Sequence, residues 1–579
     1  MSIRTITTSS SYGDYFDILN KKQKNIIEKA IDRSLDPSFT GLIFNLPMGS
    51  GKTRISLITA LALYNQTLII CSKTLLQNWI DEIKNVFGDS IKYEVYHKEY
   101  LKDYLKESLN ITFEEWIPAP ETRLILTTPF QIQSGYIKNN IKSRYIAKFN
   151  SKIRYQIPRS FRPYLRSPDR AFVGDSNETP PNSAVSTAFK GVDIFHSNKW
   201  EAVFIDEVQN YSNPETTTNQ AICSMAIKHR YLLSGTPIVE PSIIRLLGLF
   251  LLLGISNLNT KYAVKKLIDS ADWRGFKPYY LTMTPPKLKT EVIKTTIKYE
   301  LNEAEIKIYK LFKSLITIWI EQFNKSSDDT GMLPKIRGHL LALITSMRIS
   351  FIDPRKALND LLIKIKDEKN DKDDNYLFIL YPKVKKIESL LKNIDPVLTK
   401  TASTRLLELD KILKKKTTKQ AIVFSSFIIN LNRAVEYLRI TESSRPIFMI
   451  DGKMNSIVRD TIIKDFKEST NGVLFATYSI GSEGLNLQTA NTVVYLDQYW
   501  NQSKHDQALG RIYRPGQIEE KIYEYDILTN LKFENFMLEL QKHKYELSLQ
   551  LINPTFKSKI DFKKPVLSIK DLADLIVSD

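Results

Sequence analysis

Short apolar runs alternate with helical periodicity through the first part of the chain. Gly41-Leu-Ile-Phe-Asn45, Thr67-Leu-Ile-Ile-Cys71, Arg123-Leu-Ile-Leu-Thr-Thr128, Trp200-Glu-Ala-Val-Phe-Ile-Asp-Glu207 and the run opening at His229 have the length and hydrophobicity of strands buried on both faces. Between them, the amphipathic stretch from Leu19 to Ile31, the run Ile55 to Leu63 and the stretch opening at Ser72 read as helices. This alternation predicts an α/β fold with a doubly wound parallel sheet. From Pro241 to about Leu398 the spacing turns mainly helical, as in Leu301 to Phe312. A second sheet is predicted from Gln420-Ala-Ile-Val-Phe-Ser-Ser426, Gly472-Val-Leu-Phe-Ala-Thr477 and Asn491-Thr-Val-Val-Tyr-Leu-Asp497, with a helix from Ser403 before it and another from Phe533 to Leu551 after it.

The turn between the first strand and its helix reads Leu46-Pro-Met-Gly-Ser-Gly-Lys-Thr53. Met48, Gly49, Ser50 and Gly51 would wrap backbone N–H groups around phosphate oxygens at a helix N-terminus, Lys52 would neutralise the terminal phosphates, and Thr53 would hold magnesium. Leu46 stands where such loops usually begin with glycine, so the turn alone also suits a plain strand-to-helix connection. Asp206 and Glu207 lie at the carboxyl end of a predicted central strand, the ligand-facing edge of such a sheet. There Asp206 is placed to hold magnesium and Glu207 to orient or deprotonate a water. A glutamine ahead of the loop, Gln23, is a candidate reader of the adenine edge.

Arg511 and Arg514, in Gln507-Ala-Leu-Gly-Arg-Ile-Tyr-Arg-Pro-Gly-Gln517, are expected on one face of a helix, pointing across a cleft at the transferring phosphoryl group.

A formal net charge of +18 favours a polyanionic partner, most simply nucleic acid. Between Tyr136 and Arg170, basic residues including Arg154, Arg159, Arg162 and Arg166 are interleaved with Tyr145, Phe149, Tyr155, Phe161 and Tyr164, with Asp169 the lone acid. That mixture suits phosphate contact plus base stacking, and equally a solvated or protein-bound arm. No secretory leader or membrane-length apolar window is read, and Cys71 and Cys223 suggest neither a disulfide framework nor a metal site. An intracellular, soluble protein is expected, in the cytoplasm before the nucleus or a virion.

With Met48-Gly-Ser-Gly-Lys-Thr53, Leu75-Leu-Gln-Asn-Trp79, Asp206-Glu-Val-Gln209, Ser234-Gly-Thr-Pro237, Gly481-Ser-Glu-Gly-Leu-Asn486, Asp497-Gln-Tyr-Trp-Asn501 and Gln507 to Gln517 together, the chain resembles superfamily 2 helicase-type ATPases of the Swi/Snf-like branch. Its compactness fits members found in bacteria and large cytoplasmic DNA viruses. The resemblance implies two tandem RecA-like domains, near residues 1–250 and 400–535, a helical linker and protrusion over 251–399, and a C-terminal helical brace over 536–579. It implies ATP and Mg2+ as cofactors, Gly484 among the ATP-binding residues, and Thr127 and Ser425 among the nucleic-acid contacts. The implied activity is nucleic-acid-dependent ATP hydrolysis driving translocation on a duplex, DNA before RNA, without obligatory strand separation. Transcription machinery such as RNA polymerase is an expected partner. Val208 and Gln209 replace the family's usual Ala and His, which bears on coupling across the cleft.

Two other readings are open at this point. A strand-separating helicase would share every ATPase motif and is distinguished by unwinding of a forked duplex. A non-catalytic nucleic-acid-binding scaffold would be expected to lack Lys52, Glu207 or Arg514, all of which are present.

Overall fold

The computed structural model describes residues 13–101, 118–137, 194–238, 242–270, 276–284, 288–325, 332–367, 383, 385–389, 403–441, 445–452, 454, 456–481, 486–552 and 569–578. The basic stretch containing Arg154, Arg159, Arg162 and Arg166 lies outside these residues, as does Gly484.

Two parallel sheets organise the chain. The first contains β1 (Gly41–Asn45), β2 (Thr67–Ile70), β3 (Tyr93–Tyr96), β4 (Leu124–Thr127), β5 (Lys199–Asp206), β6 (Ala226–Ser234) and β7 (Tyr280–Thr282), in the spatial order β3-β4-β2-β5-β6-β1-β7. Leu42, Ile43 and Phe44 of β1 are fully buried, which is what a continuous apolar run demands when helices cover both faces. Burial of this kind stabilises by about 1.5–3 kcal/mol per large apolar side chain. Parallel pairing also gathers the carboxyl ends of β1, β5 and β6 at one edge, with Asn45 opposite Ser234 and Asp206 opposite Leu233.

The second sheet contains β8 (Glu291–Tyr299), β9 (Ala421–Ser425), β10 (Ile447–Ile450), β11 (Val473–Thr477), β12 (Thr492–Tyr495) and β13 (Lys521–Thr529), ordered β10-β11-β9-β12-β13-β8. β7 and β8 fall inside the stretch expected to be helical linker, so the first lobe reaches Thr282 and the second opens at Glu291. β8 is an edge strand whose residues alternate between partial burial and exposure, and such a half-wet pattern is weaker in sequence than a buried run.

The helices Glu303–Lys325, Met332–Ser350 and Pro354–Asp367 share one apolar core with Phe533 and Met537 of the helix Lys532–Ile552 and with Leu572, Ala573 and Ile576 of Ile569–Ser578. Buried arginines tie this helical body to the second lobe. Arg405 is fully buried, donates to the Tyr299 hydroxyl at 2.8 Å and to the Leu496 carbonyl at 2.9 Å, and pairs with Glu534. Arg348, on the helix Met332–Ser350, lies 3.6 Å from Asp497, with its guanidinium 5.0 Å from the Phe427 ring centre and 5.3 Å from that of Trp500. Removing one partner from pairs this buried typically destabilises by about 3–5 kcal/mol, so they fix the body in place.

Candidate active site

At the end of β1 the chain turns sharply. Leu46 N–H donates to the Ser234 carbonyl at 3.0 Å and Ser50 N–H to the Pro47 carbonyl at 3.2 Å, so the loop hangs from both β1 and β6. Gly49 at φ +73° and Gly51 at φ +82° take the left-handed backbone that this turn needs. Gly51 caps the helix Lys52–Leu63 without a side-chain acceptor, which leaves the first-turn N–H groups for an anion. Leu46, in place of the usual first glycine, is buried in the core beneath the loop.

Lys52 Nζ lies 3.0 Å from Asp206 Oδ1 and 2.9 Å from Glu207 Oε1. Burial pulls the ammonium's pKa down, but the two carboxylates outweigh burial and hold it above the ordinary lysine value. Burial likewise pushes Glu207 up, while Lys52, Gln209 and Arg511 together hold it below the usual carboxylate range. Glu207 sits at φ 50°, ψ 48°, the one non-glycine residue with positive φ among those described. Such a conformation costs on the order of 1–3 kcal/mol and persists where the surroundings impose it. Here they do: Glu207 N–H donates to Asp206 Oδ1 at 2.9 Å, Gln209 Nε2 to Glu207 Oε2 at 2.5 Å, and Ser234 Oγ to Gln209 Oε1 at 2.6 Å. The other oxygen of Asp206 accepts from Trp79 Nε1 at 3.0 Å.

The second lobe closes over this group. The helix Gln502–Leu509 stops at its cap, Gly510, so Arg511 and Arg514 do not share a helical face as expected from their spacing. They stand on the tight turns that follow, where Arg511 N–H donates to the Ala508 carbonyl and Arg514 N–H to the Ile512 carbonyl. Arg511 is 5% exposed and its charge acts on Glu207. Arg514 follows the turn over the phosphate loop: a Cβ placed on Gly49 would lie 2.8 Å from Pro515 Cδ and 3.7 Å from Arg514 Cβ. Partial burial lowers the pKa of the Arg514 guanidinium.

Residues 19–274 match the SNF2-related domain and residues 404–516 the helicase conserved C-terminal domain. The chain belongs to the Swi/Snf-like branch of the superfamily 2 helicase-type ATPases. It is similar to the putative helicase 172L of Invertebrate iridescent virus 6, at 24% identity over 94% of this chain and 91% of that protein. It is also similar to the putative ATP-dependent helicase/translocase YwqA of Bacillus subtilis, at 24% identity over 61% of this chain and 36% of the relative. Of the Debaryomyces hansenii DNA repair protein RAD5 it spans 16%, at 28% identity. Among solved structures, the Sulfolobus solfataricus SWI2/SNF2 ATPase core in complex with dsDNA aligns over 93% of each chain at 18% identity with a TM-score of 0.33.

As a Swi/Snf-like ATPase the chain is an ATP hydrolase, and its loop has the features a bound nucleotide requires. Ser50 Oγ is buried with no hydrogen-bond partner among the described residues, facing a need that a phosphate oxygen meets. Thr53 is the second residue of the loop helix. Gln23 is 9% exposed and engaged inside the protein: Asn20 N–H donates to its Oε1 at 3.0 Å, and its Nε2 donates to the Ser50 carbonyl at 2.9 Å. It braces the phosphate loop, and an adenine contact would fall to its remaining N–H.

Thr127 and Ser425 are fully buried in this Swi/Snf-like ATPase. The Thr127 hydroxyl donates to the Tyr96 carbonyl at 3.1 Å and that of Ser425 to Asp497, so neither presents a hydroxyl to nucleic acid here. Both end a strand, where a polar side chain is needed to satisfy neighbouring backbone or carboxylate groups. Trp79 is a site residue that residue type alone does not mark, whereas Gln209 stands out as a departure from the family's usual histidine. The signal for Trp79 was its place in Leu75-Leu-Gln-Asn-Trp79, and for Gln209 its position two residues past Glu207.

Proposed function

We propose that this chain is a nucleic-acid-dependent ATPase that translocates on duplex DNA without obligatory strand separation, with transcription machinery as its expected partner. The observation carrying the catalytic part is that Lys52, Asp206 and Glu207 of one lobe and Arg511 of the other meet in one charged group. Glu207, held as a carboxylate, accepts the proton of the attacking water, and Gln209 keeps its other oxygen oriented. Lys52 has to leave the carboxylates to reach the phosphates, and Arg511 and Arg514 neutralise charge developing on the transferred group. Thr53 and Asp206 would hold Mg2+, which neutralises and orients the phosphates when bound.

Because the two halves of this group come from separate lobes, any ligand that aligns the lobes raises the rate. The net charge of +18 supports a polyanion in that role, and the names of the viral and bacterial relatives support a helicase-type or translocase-type motor. ATP turnover measured without nucleic acid, with duplex DNA, with single-stranded DNA and with duplex RNA tests this. Strong stimulation by duplex DNA is expected. Equal turnover in all four conditions removes the motor reading, and unwinding of a forked duplex replaces translocation with strand separation.

A further inference from the structure

Met48 stands half-buried on the shoulder of the phosphate loop, immediately before Gly49. A Cβ placed on Gly510, in the opposite lobe, would lie 2.5 Å from Met48 Sδ and 3.3 Å from Met48 Cβ. Gly510 itself has ordinary right-handed backbone at φ −64°, which any L-residue adopts. A side chain there would therefore be opposed first by the methionine and then by the Asp506 carbonyl, not by a strained φ. Gly49 makes the reciprocal approach to Pro515. Arg511 directly follows one of these contacts and Arg514 directly precedes the other.

We propose that Met48 and Gly510 form the contact that registers the two lobes, with the methionine side chain seated in the space the glycine leaves. The depth of that seat sets how far the cleft closes and so where Arg511 and Arg514 stand relative to the phosphate loop. Met48 acts here as a positioning residue through its side chain, a role separate from any backbone contact to phosphate. The inference rests on the reading that the two arginines serve the phosphate site. Close-packed contacts do not absorb an added methyl group without a shift, and displacement of a catalytic group by about 1 Å costs about 10²-fold in rate.

The test compares Gly510→Ala, Met48→Ala, the double variant and Arg514→Ala for steady-state turnover with duplex DNA and for affinity toward a fluorescent ATP analogue. Gly510→Ala is expected to lower kcat at least about tenfold while analogue affinity changes little. The double variant should recover a clear part of the loss, because it removes the 2.5 Å approach of Met48 Sδ and leaves, of that side chain, only Cβ at 3.3 Å. The Asp506 carbonyl, 3.1 Å from the same Cβ position, is unchanged in the double variant, so strain within the lobe predicts no recovery. Wild-type turnover in Gly510→Ala, or a double variant no faster than Gly510→Ala, overturns the inference. Full turnover in Arg514→Ala instead overturns the composite-site reading on which it rests.

Discussion

Gln209 Nε2 donates to Glu207 Oε2 at 2.5 Å while Gln209 Oε1 accepts from Ser234 Oγ at 2.6 Å, so one amide joins the acidic motif to the end of β6. Ser234 Oγ in turn accepts from Thr236 N–H at 2.9 Å. The substitution at Gln209 relative to the family's usual histidine thus keeps a physical link between the hydrolytic carboxylate and the Ser-Gly-Thr-Pro turn. Gln209→Ala should leave ATP affinity near wild type and lower kcat by about 10²-fold through loss of carboxylate orientation. Paired titrations of nucleotide binding and turnover separate these effects, and an equal loss in both would place Gln209 in binding instead.

Trp79→Phe keeps an aromatic ring but loses the indole N–H that donates to Asp206 Oδ2, together with part of the buried ring volume. Leaving a buried carboxylate oxygen unpaired costs about 1–3 kcal/mol, visible as a lower midpoint in urea unfolding. The freed carboxylate should also require more Mg2+ for half-maximal turnover. An unchanged Mg2+ dependence would mean that the indole supports the core alone.

Lys52→Ala should abolish turnover, since Lys52 is the loop's ammonium and no other described ammonium pairs with Asp206 or Glu207 at the end of β5. Glu207→Gln should retain ATP binding and slow hydrolysis. Removal of Arg514 should cost about 10³-fold in rate if it stabilises the transferring phosphoryl group. Single-turnover measurements resolve the chemical step from product release in each case.

His505 links stability to pH. Burial, aided by the Lys294 charge, lowers its pKa from 6.5 to about 3, so the folded chain holds it neutral while the unfolded chain protonates it. Between these two values the unfolded state binds the extra proton, and stability rises with pH. It is lost progressively as pH falls from about 6.5 toward 3, by up to about 1.4 kcal/mol per unit. Replacing His505 by Gln should flatten this slope in denaturant melts between pH 4 and 7, and an identical slope would assign the acid sensitivity to other groups.

The buried strands and the chemistry at their ends could be read directly. β1, β2, β4, β5, β9, β11 and β12 follow from continuous apolar runs, because a parallel strand covered on both faces has no polar positions to mask it. The phosphate loop could be read because its glycines and lysine act through local backbone geometry. What the tertiary structure decided is non-local. Trp79 meets Asp206 across 127 residues, and Arg405 finds Glu534 across 129, through packing that no sequence period records. The helix ends at Leu509 with Gly510 as its cap, which puts Arg511 and Arg514 on turns rather than on one helical face. The burial of Thr127 and Ser425 depends on the Tyr96 and Asp497 groups that reach them only in the folded sheets. Residue type could name a hydroxyl at a strand end, but only the neighbouring chain determines whether it faces a ligand or a carbonyl.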